Sequence, residues 1–298
     1  TMNTMNTMNT MNTMNTMNTM NIDTLFLSGC GTKGTAFIGS IQALIEKNII
    51  DLKQIHRYVC CSGSSIIGVL LSCGYDLNMI CNLSNKLDYT KILDLDDLDD
   101  IFSNKGLFSN NNIGKLIDNI IRKKYNKQNI TLNQFYMLTK IHFVCKVYNL
   151  SDKCDEYFSY ENHPNMKVST LVQMTTCIPF FFKPIKYKDK YYIDGGVLCV
   201  MPFIEKYKNY LGLYIHAKEK SKIEELNLFE YITYINNCLT KNCKLDIQDK
   251  RMLHIYTLFM PCIDFDVCLD DKNMIKKCGY DETILHIDKF ELSKLKKK

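Results

Sequence analysis

Between Ile22 and Gly74 the chain runs strand, glycine loop, helix, strand, serine turn, helix. This order constrains the fold more than any other feature. Asp23-Thr24-Leu25-Phe26-Leu27-Ser28 is a short apolar run closed by glycines. Ala36 to Lys47 places Phe37, Ile41, Leu44 and Ile45 at helical spacing, so that they share one face. His56 to Cys61 is a second strand-like run, and Ile66 to Ser72 reads as a buried helix ahead of Gly74. Parallel strands need a crossover, usually a helix. The order therefore predicts an α/β architecture, a parallel sheet flanked by helices.

The pattern continues downstream. Ile113 to Lys124 is amphipathic, and Thr131 with Gln134 forms a capping box that starts another helix. Ile141 to Asn149 reads as a strand and Val168 to Cys177 as a helix stopped by Ile178-Pro179. Phe180-Phe181-Phe182 and a hairpin from Ile185 to Ile193 follow, and Leu211 to His216 is the last clear strand. Residues 222–258 are expected to be largely helical. The acidic run Ile92 to Ile101 lacks EF-hand spacing and reads as a solvated edge or loop. Residues 1–21 are seven copies of Thr-Met-Asn, a polar period of three that fits neither helix nor strand and is expected to be disordered and outside the fold. No linker divides the rest. Residues 22–210 are expected to form the main domain, with 211–298 an extension packed on it.

Composition narrows the class. The 298 residues are 46% hydrophobic and 23% charged, an ordinary globular balance with a net charge of +5. That charge is too mild to indicate a nucleic-acid partner. Lys294, Lys296, Lys297 and Lys298 crowd the C-terminus; a solvated tail is the plain reading, and attraction to an anionic membrane surface is the sharper one. The 14 cysteines form no C-x-x-C and no zinc-like cluster, which suits a reducing compartment. No secretory signal is expected, and no apolar run reaches the ~20 residues of a membrane span. The expected location is cytoplasmic, with at most peripheral membrane contact.

Gly29-Cys30-Gly31-Thr32-Lys33-Gly34 matches G-x-G-x-x-G between a strand and a helix. A dinucleotide fold would end its second strand near an acidic residue, and here stands Cys-Ser-Gly-Ser-Ser. A phosphate-binding Walker loop needs Lys-Ser/Thr after the last glycine, where this chain has Thr35-Ala36. An oxyanion hole is the third candidate, since small residues let N–H groups crowd a developing negative charge; a packing turn is the plain alternative. At the next turn, Ser62, Ser64 and Ser65 are ordinary helix caps or include a nucleophile. Ser65 has Gly63 two positions before it, as in G-x-S-x-G. None of His56, His142, His163, His216, His254 and His286 lies in a recognisable catalytic motif, whereas Tyr191-Tyr192-Ile193-Asp194-Gly195-Gly196 presents a carboxylate between a strand and two glycines.

Glycine loop, serine turn and Asp-Gly-Gly, in that order, resemble the patatin-like phospholipases over roughly residues 22–210. T-T-C-I-P-F-F-F-K-P ahead of Y-I-D-G-G adds to the likeness. The resemblance implies a three-layer patatin-like fold with a central, mostly parallel sheet flanked by helices. It implies lipid acyl hydrolysis of phospholipase A type by a Ser65–Asp194 dyad without histidine, metal or other cofactor. The oxyanion loop is then Gly29, Cys30, Gly31, Thr32, Lys33 and Gly34, with Gly63, Gly195 and Gly196 supporting the motifs, and the partner is a phospholipid or other acyl-ester lipid. A Ser-His-Asp lipase is the rival that would make one histidine essential. The chain departs from the family at the serine: counted from Ser65, Gly74-Tyr75 arrives about three residues early, and Ile67 stands where the family has glycine. A catalytically impaired, lipid-binding relative is therefore the alternative expectation.

Overall fold

The computed structural model describes residues 22–95, 105–217, 223–226, 231, 234, 235, 238, 251–257 and 264–295. The Thr-Met-Asn repeat and the acidic run beyond Leu95 lie outside the described residues.

The opening alternation folds as its periodicity requires. Strand β1 (Thr24–Leu27) leads to helix α1 (Thr35–Glu46), β2 (Arg57–Cys61), α2 (Ser64–Ser72) and α3 (Leu77–Lys86). Next come β3 (Asp94–Leu95), β4 (Gly106–Ser109), α4 (Asn111–Tyr125) and α5 (Leu132–Thr139). The Thr131–Gln134 capping box opens α5. The chain continues through β5 (His142–Asn149), β6 (Cys154–Phe158), α6 (Val168–Thr175), β7 (Phe180–Phe182), β8 (Ile185–Tyr187) and β9 (Lys190–Asp194). It closes with β10 (Tyr210–Ala217), β11 (Met252–Thr257) and α7 (Leu269–Leu295).

The main sheet runs β11-β10-β1-β2-β5-β9-β8, and β6 pairs with β5. Every pair from β11 through β5 is parallel, while β6, β8 and β9 add antiparallel pairs. This is the mostly parallel α/β sheet flanked by helices. Its central strands are buried along their length, with Leu25, Leu27, Tyr58, Cys60, Phe143 and Cys145 in the core; such near-continuous apolar runs mark strands covered on both faces. A small second sheet, β3-β4-β7, lies apart from it.

The helical expectation for 222–258 fails at β11. Leu253 and Ile255 are buried while Tyr256 is half exposed, and this strand extends the sheet beyond β10 in parallel register. A six-residue apolar stretch does not distinguish strand from helix by itself; only the free edge of β10 decides it.

Helix α7 crosses α1 at a glycine pair. A Cβ on Gly39 would lie 1.9 Å from the Lys276 carbonyl oxygen, and one on Gly279 would lie 2.1 Å from that of Ala36. The Ser40 and Thr283 hydroxyls meet across the contact at 2.7 Å.

Register in β5 brings the serine turn and the Asp-Gly-Gly turn together. Cys61, the last residue of β2, pairs with Lys146, and Asp194, the last residue of β9, pairs with Val147. Because β6 covers residues 145–149 on the other edge of β5, β2 and β9 share one edge and meet end to end. Whatever follows Cys61 must therefore adjoin Asp194.

Candidate active site

The residue after Cys61 is Ser62, and it turns sharply. Its φ is +55°, a left-handed conformation costly for a side chain other than glycine and frequent at functional turns. The turn lifts its hydroxyl off the end of β2 toward β9. Ser62 Oγ donates to Asp194 Oδ2 at 2.5 Å, and the other carboxylate oxygen accepts from the Gly196 N–H at 2.7 Å. Thr175 steadies the turn from α6. Its Oγ1 accepts from the Ser62 N–H at 2.9 Å and donates to the Lys146 carbonyl at 2.6 Å.

The structure does not bring Ser65 to Asp194. It lies within α2, fully buried, and its hydroxyl donates back to the Ser62 carbonyl at 2.6 Å. That is the local back-bond a serine in a first helical turn makes. Ser64 is equally committed, donating to the Leu27 and Cys61 carbonyls. Ile67 sits buried in the helix with its side chain beside Gly34 and does not obstruct the serine turn.

Counted from Ser62, Gly74-Tyr75 falls where the family pattern places it. What departs from G-x-S-x-G is then the flanks, Cys60 and Ser64 in place of the glycines. The structure shows how Cys60 fits: a Cβ on Gly68 would lie 2.5 Å from Cys60 Sγ, so the missing helix side chain leaves room for the thiol.

The other motif glycines are required by close approach. A Cβ on Gly63 would lie 2.4 Å from the Gly31 carbonyl oxygen, and one on Gly195 would lie 2.3 Å from that of Lys146. The glycine loop thus rests directly on the serine turn. It is tied down by Gly29 N–H donating to the Val200 carbonyl and Lys33 N–H to the Cys30 carbonyl, and Gly31 takes φ +53°. The N–H groups of Gly31, Thr32 and Gly63 have no hydrogen-bond partner among the described residues. Cys30 and Lys33 are buried beneath the loop, while Gly34 precedes α1 as its N-cap. The amino ends of α1 and α2 both flank the serine and favour negative charge there.

Asp194 is buried, and burial raises its carboxyl to about 6. The Ser62 hydroxyl, the Gly196 N–H and the Lys146 ammonium oppose that rise. Lys146 is buried as well, donating to the Cys199 carbonyl at 2.8 Å and pairing with Asp155 at 2.9 Å. Sequence reasoning missed Lys146 and Thr175 because a lone lysine in a strand and a threonine ending a helix carry no motif.

A small apolar groove with about 50 Å³ of water-accessible space, open on one side, adjoins the serine. Gly31, Thr32, Ser62 and Gly63 form its polar end. Ile66, Tyr89, Ile113, Phe182 and Phe265 form much of the rest. Of the phenylalanine triplet only Phe182 lines the groove; Phe181 is buried and Phe180 is exposed. No histidine lines it.

The family model described as patatin-like phospholipase matches residues 25–205. The chain belongs to the patatin-like phospholipase family. A protein of Invertebrate iridescent virus 6 named probable lipid hydrolase 463L is 32% identical over 176 residues, covering 58% of this chain and 59% of that protein. The uncharacterized protein YqhO of Bacillus subtilis is 28% identical over 224 residues, covering 67% of this chain and 73% of YqhO. Among solved structures, VipD of Legionella pneumophila superposes with a TM-score of 0.63 at 18% identity, over 90% of this chain and 67% of VipD. ExoU, a type III effector, superposes at 0.53 and 16% identity, over 91% of this chain and 53% of ExoU. These two establish a shared patatin-like fold.

Proposed function

We propose that the chain is a lipid acyl hydrolase of phospholipase A type, in which Ser62 is the nucleophile and Asp194 its base. The observation that carries this reading is the 2.5 Å hydrogen bond from Ser62 Oγ to Asp194 Oδ2 at the head of an apolar groove. Asp194 takes the hydroxyl proton as Ser62 Oγ bonds to the ester carbonyl carbon. The resulting oxyanion faces the N–H groups of Gly31, Thr32 and Gly63, and each such donor is worth roughly 10²–10³ in rate. The alcohol leaves with the proton that Asp194 held. Asp194, again ionised, draws a proton from water, the hydroxide oxygen bonds to the acyl carbon, and the fatty acid departs as Ser62 is reprotonated. The acyl chain lies in the groove. A lipid substrate follows the name of the viral relative, and phospholipid is the member of that class the family points to.

The case for a catalytically impaired relative rested on Ile67 beside the nucleophile, and it loses that ground once Ser62 is the nucleophile. A histidine-dependent lipase has no histidine at the groove to use. No helix among the described residues is long and apolar enough to cross a membrane. Assays on p-nitrophenyl esters and phospholipid vesicles should show turnover abolished by Ser62→Ala and Asp194→Asn and retained by Ser65→Ala. Turnover that survives Ser62→Ala overturns the assignment.

A further inference from the structure

The family match ends at residue 205, yet the groove beside Ser62 is not complete there. Phe265 supplies part of its wall. The Phe265 ring is half-buried, 5.8 Å from that of Phe181 and tilted by 45°. The residue before it is latched to the glycine loop, where Asp264 N–H donates to Thr32 Oγ1 at 3.3 Å. The residues after it enter α7, which is fixed against α1 by the Gly39–Gly279 crossing. An aromatic wall is thus held in place from both sides, in a groove that Tyr89 and Ile113 also line.

We propose that Phe265 sets the length of acyl chain the groove accepts, so that the segment beyond the family domain determines substrate selectivity. This rests on the acyl-hydrolase reading above. The ring occupies volume that an extended chain would otherwise take, and among the described residues it is the wall residue contributed from outside the family domain. Each further methylene buried in such a groove favours binding by about fourfold. Removing the ring therefore admits methylenes that the wild-type wall turns away.

The test uses the full chain and p-nitrophenyl esters from butyrate to palmitate. The kcat/KM ratio of laurate over hexanoate ester should fall in the order Phe265→Ala, Phe265→Leu, wild type, Phe265→Trp, with the Ala variant at least ~10-fold above wild type. Phe265→Leu carries the comparison if the Ala variant unfolds. A ratio flat within about twofold across the series overturns the proposal. A second arm is independent of turnover. The chain contains no tryptophan, so Phe265→Trp in a Ser62→Ala background introduces one indole at the groove wall. Titration with hexanoic acid, the chain that the bulkier wall still admits, should change its emission saturably, and an emission unchanged by it overturns the proposal. If no ester is cleaved by any variant while the indole responds, the hydrolase reading fails and the chain-binding wall stands.

Discussion

Replacing Asp194 with asparagine separates the catalytic role of this carboxylate from its cost to the fold. The carboxyl is held at about 6 against its ordinary 3.8, chiefly by burial. The folded state therefore keeps a proton that the unfolded chain releases, across roughly pH 4 to 6. With more protons bound to the folded state, stability falls as pH rises through that window. The 2.2 difference between about 6 and 3.8 corresponds to about 3 kcal/mol. Asp194→Asn has no charge to desolvate. Its stability relative to wild type should therefore rise by up to about 3 kcal/mol between pH 4 and pH 7, and stay level above that. Urea unfolding of both proteins at a series of pH values measures this, and groups that titrate alike in both cancel in the difference. Activity should move oppositely: wild-type kcat/KM rises through about pH 6 as the base ionises, and the variant has none. Parallel stability curves from pH 4 to 7 would refute the claim that this carboxylate is held under strain.

Thr175→Val deletes the acceptor of the Ser62 N–H; leaving that N–H buried should cost about 1–3 kcal/mol in thermal unfolding and lower kcat more than it raises KM, with Thr175→Ser restoring both. Gly39→Ala would put a methyl 1.9 Å from the Lys276 carbonyl oxygen and should destabilise by about 1–3 kcal/mol or more as α1 and α7 are forced apart. Phe180 is 62% exposed with φ +69°, so Phe180→Gly should relieve a left-handed backbone and leave stability within about 1 kcal/mol of wild type. Phe182→Ala, at a buried groove position, should cost about 3–5 kcal/mol.

The alternation from Ile22 to Gly74 was legible because period and punctuation agree: apolar runs end at glycines, and the helices show a buried face. Asp194 was legible because Asp-Gly-Gly after a strand allows a carboxylate few neighbours. The glycine loop was legible from its place between strand and helix. Gly63 drew the motif onto Ser65, whereas the serine that meets Asp194 in the structure is Ser62, three residues earlier. Which hydroxyl faces the aspartate depends on backbone handedness at Ser62 and on the β5 register that abuts β2 against β9. Neither is written in local composition. Strand β11 and the wall at Phe265 were hidden for a related reason, since each is defined by a distant partner, the edge of β10 and the groove.

The most direct test of this account is a fluorophosphonate probe followed by fragment-ion mapping of the labelled peptide. The probe bonds to an activated serine oxygen, and one peptide carries Ser62, Ser64 and Ser65, so the fragment ions must assign the site. The account predicts an adduct on Ser62 that Ser62→Ala abolishes and Ser65→Ala leaves intact. An adduct on Ser65, or labelling that persists in Ser62→Ala, would contradict it.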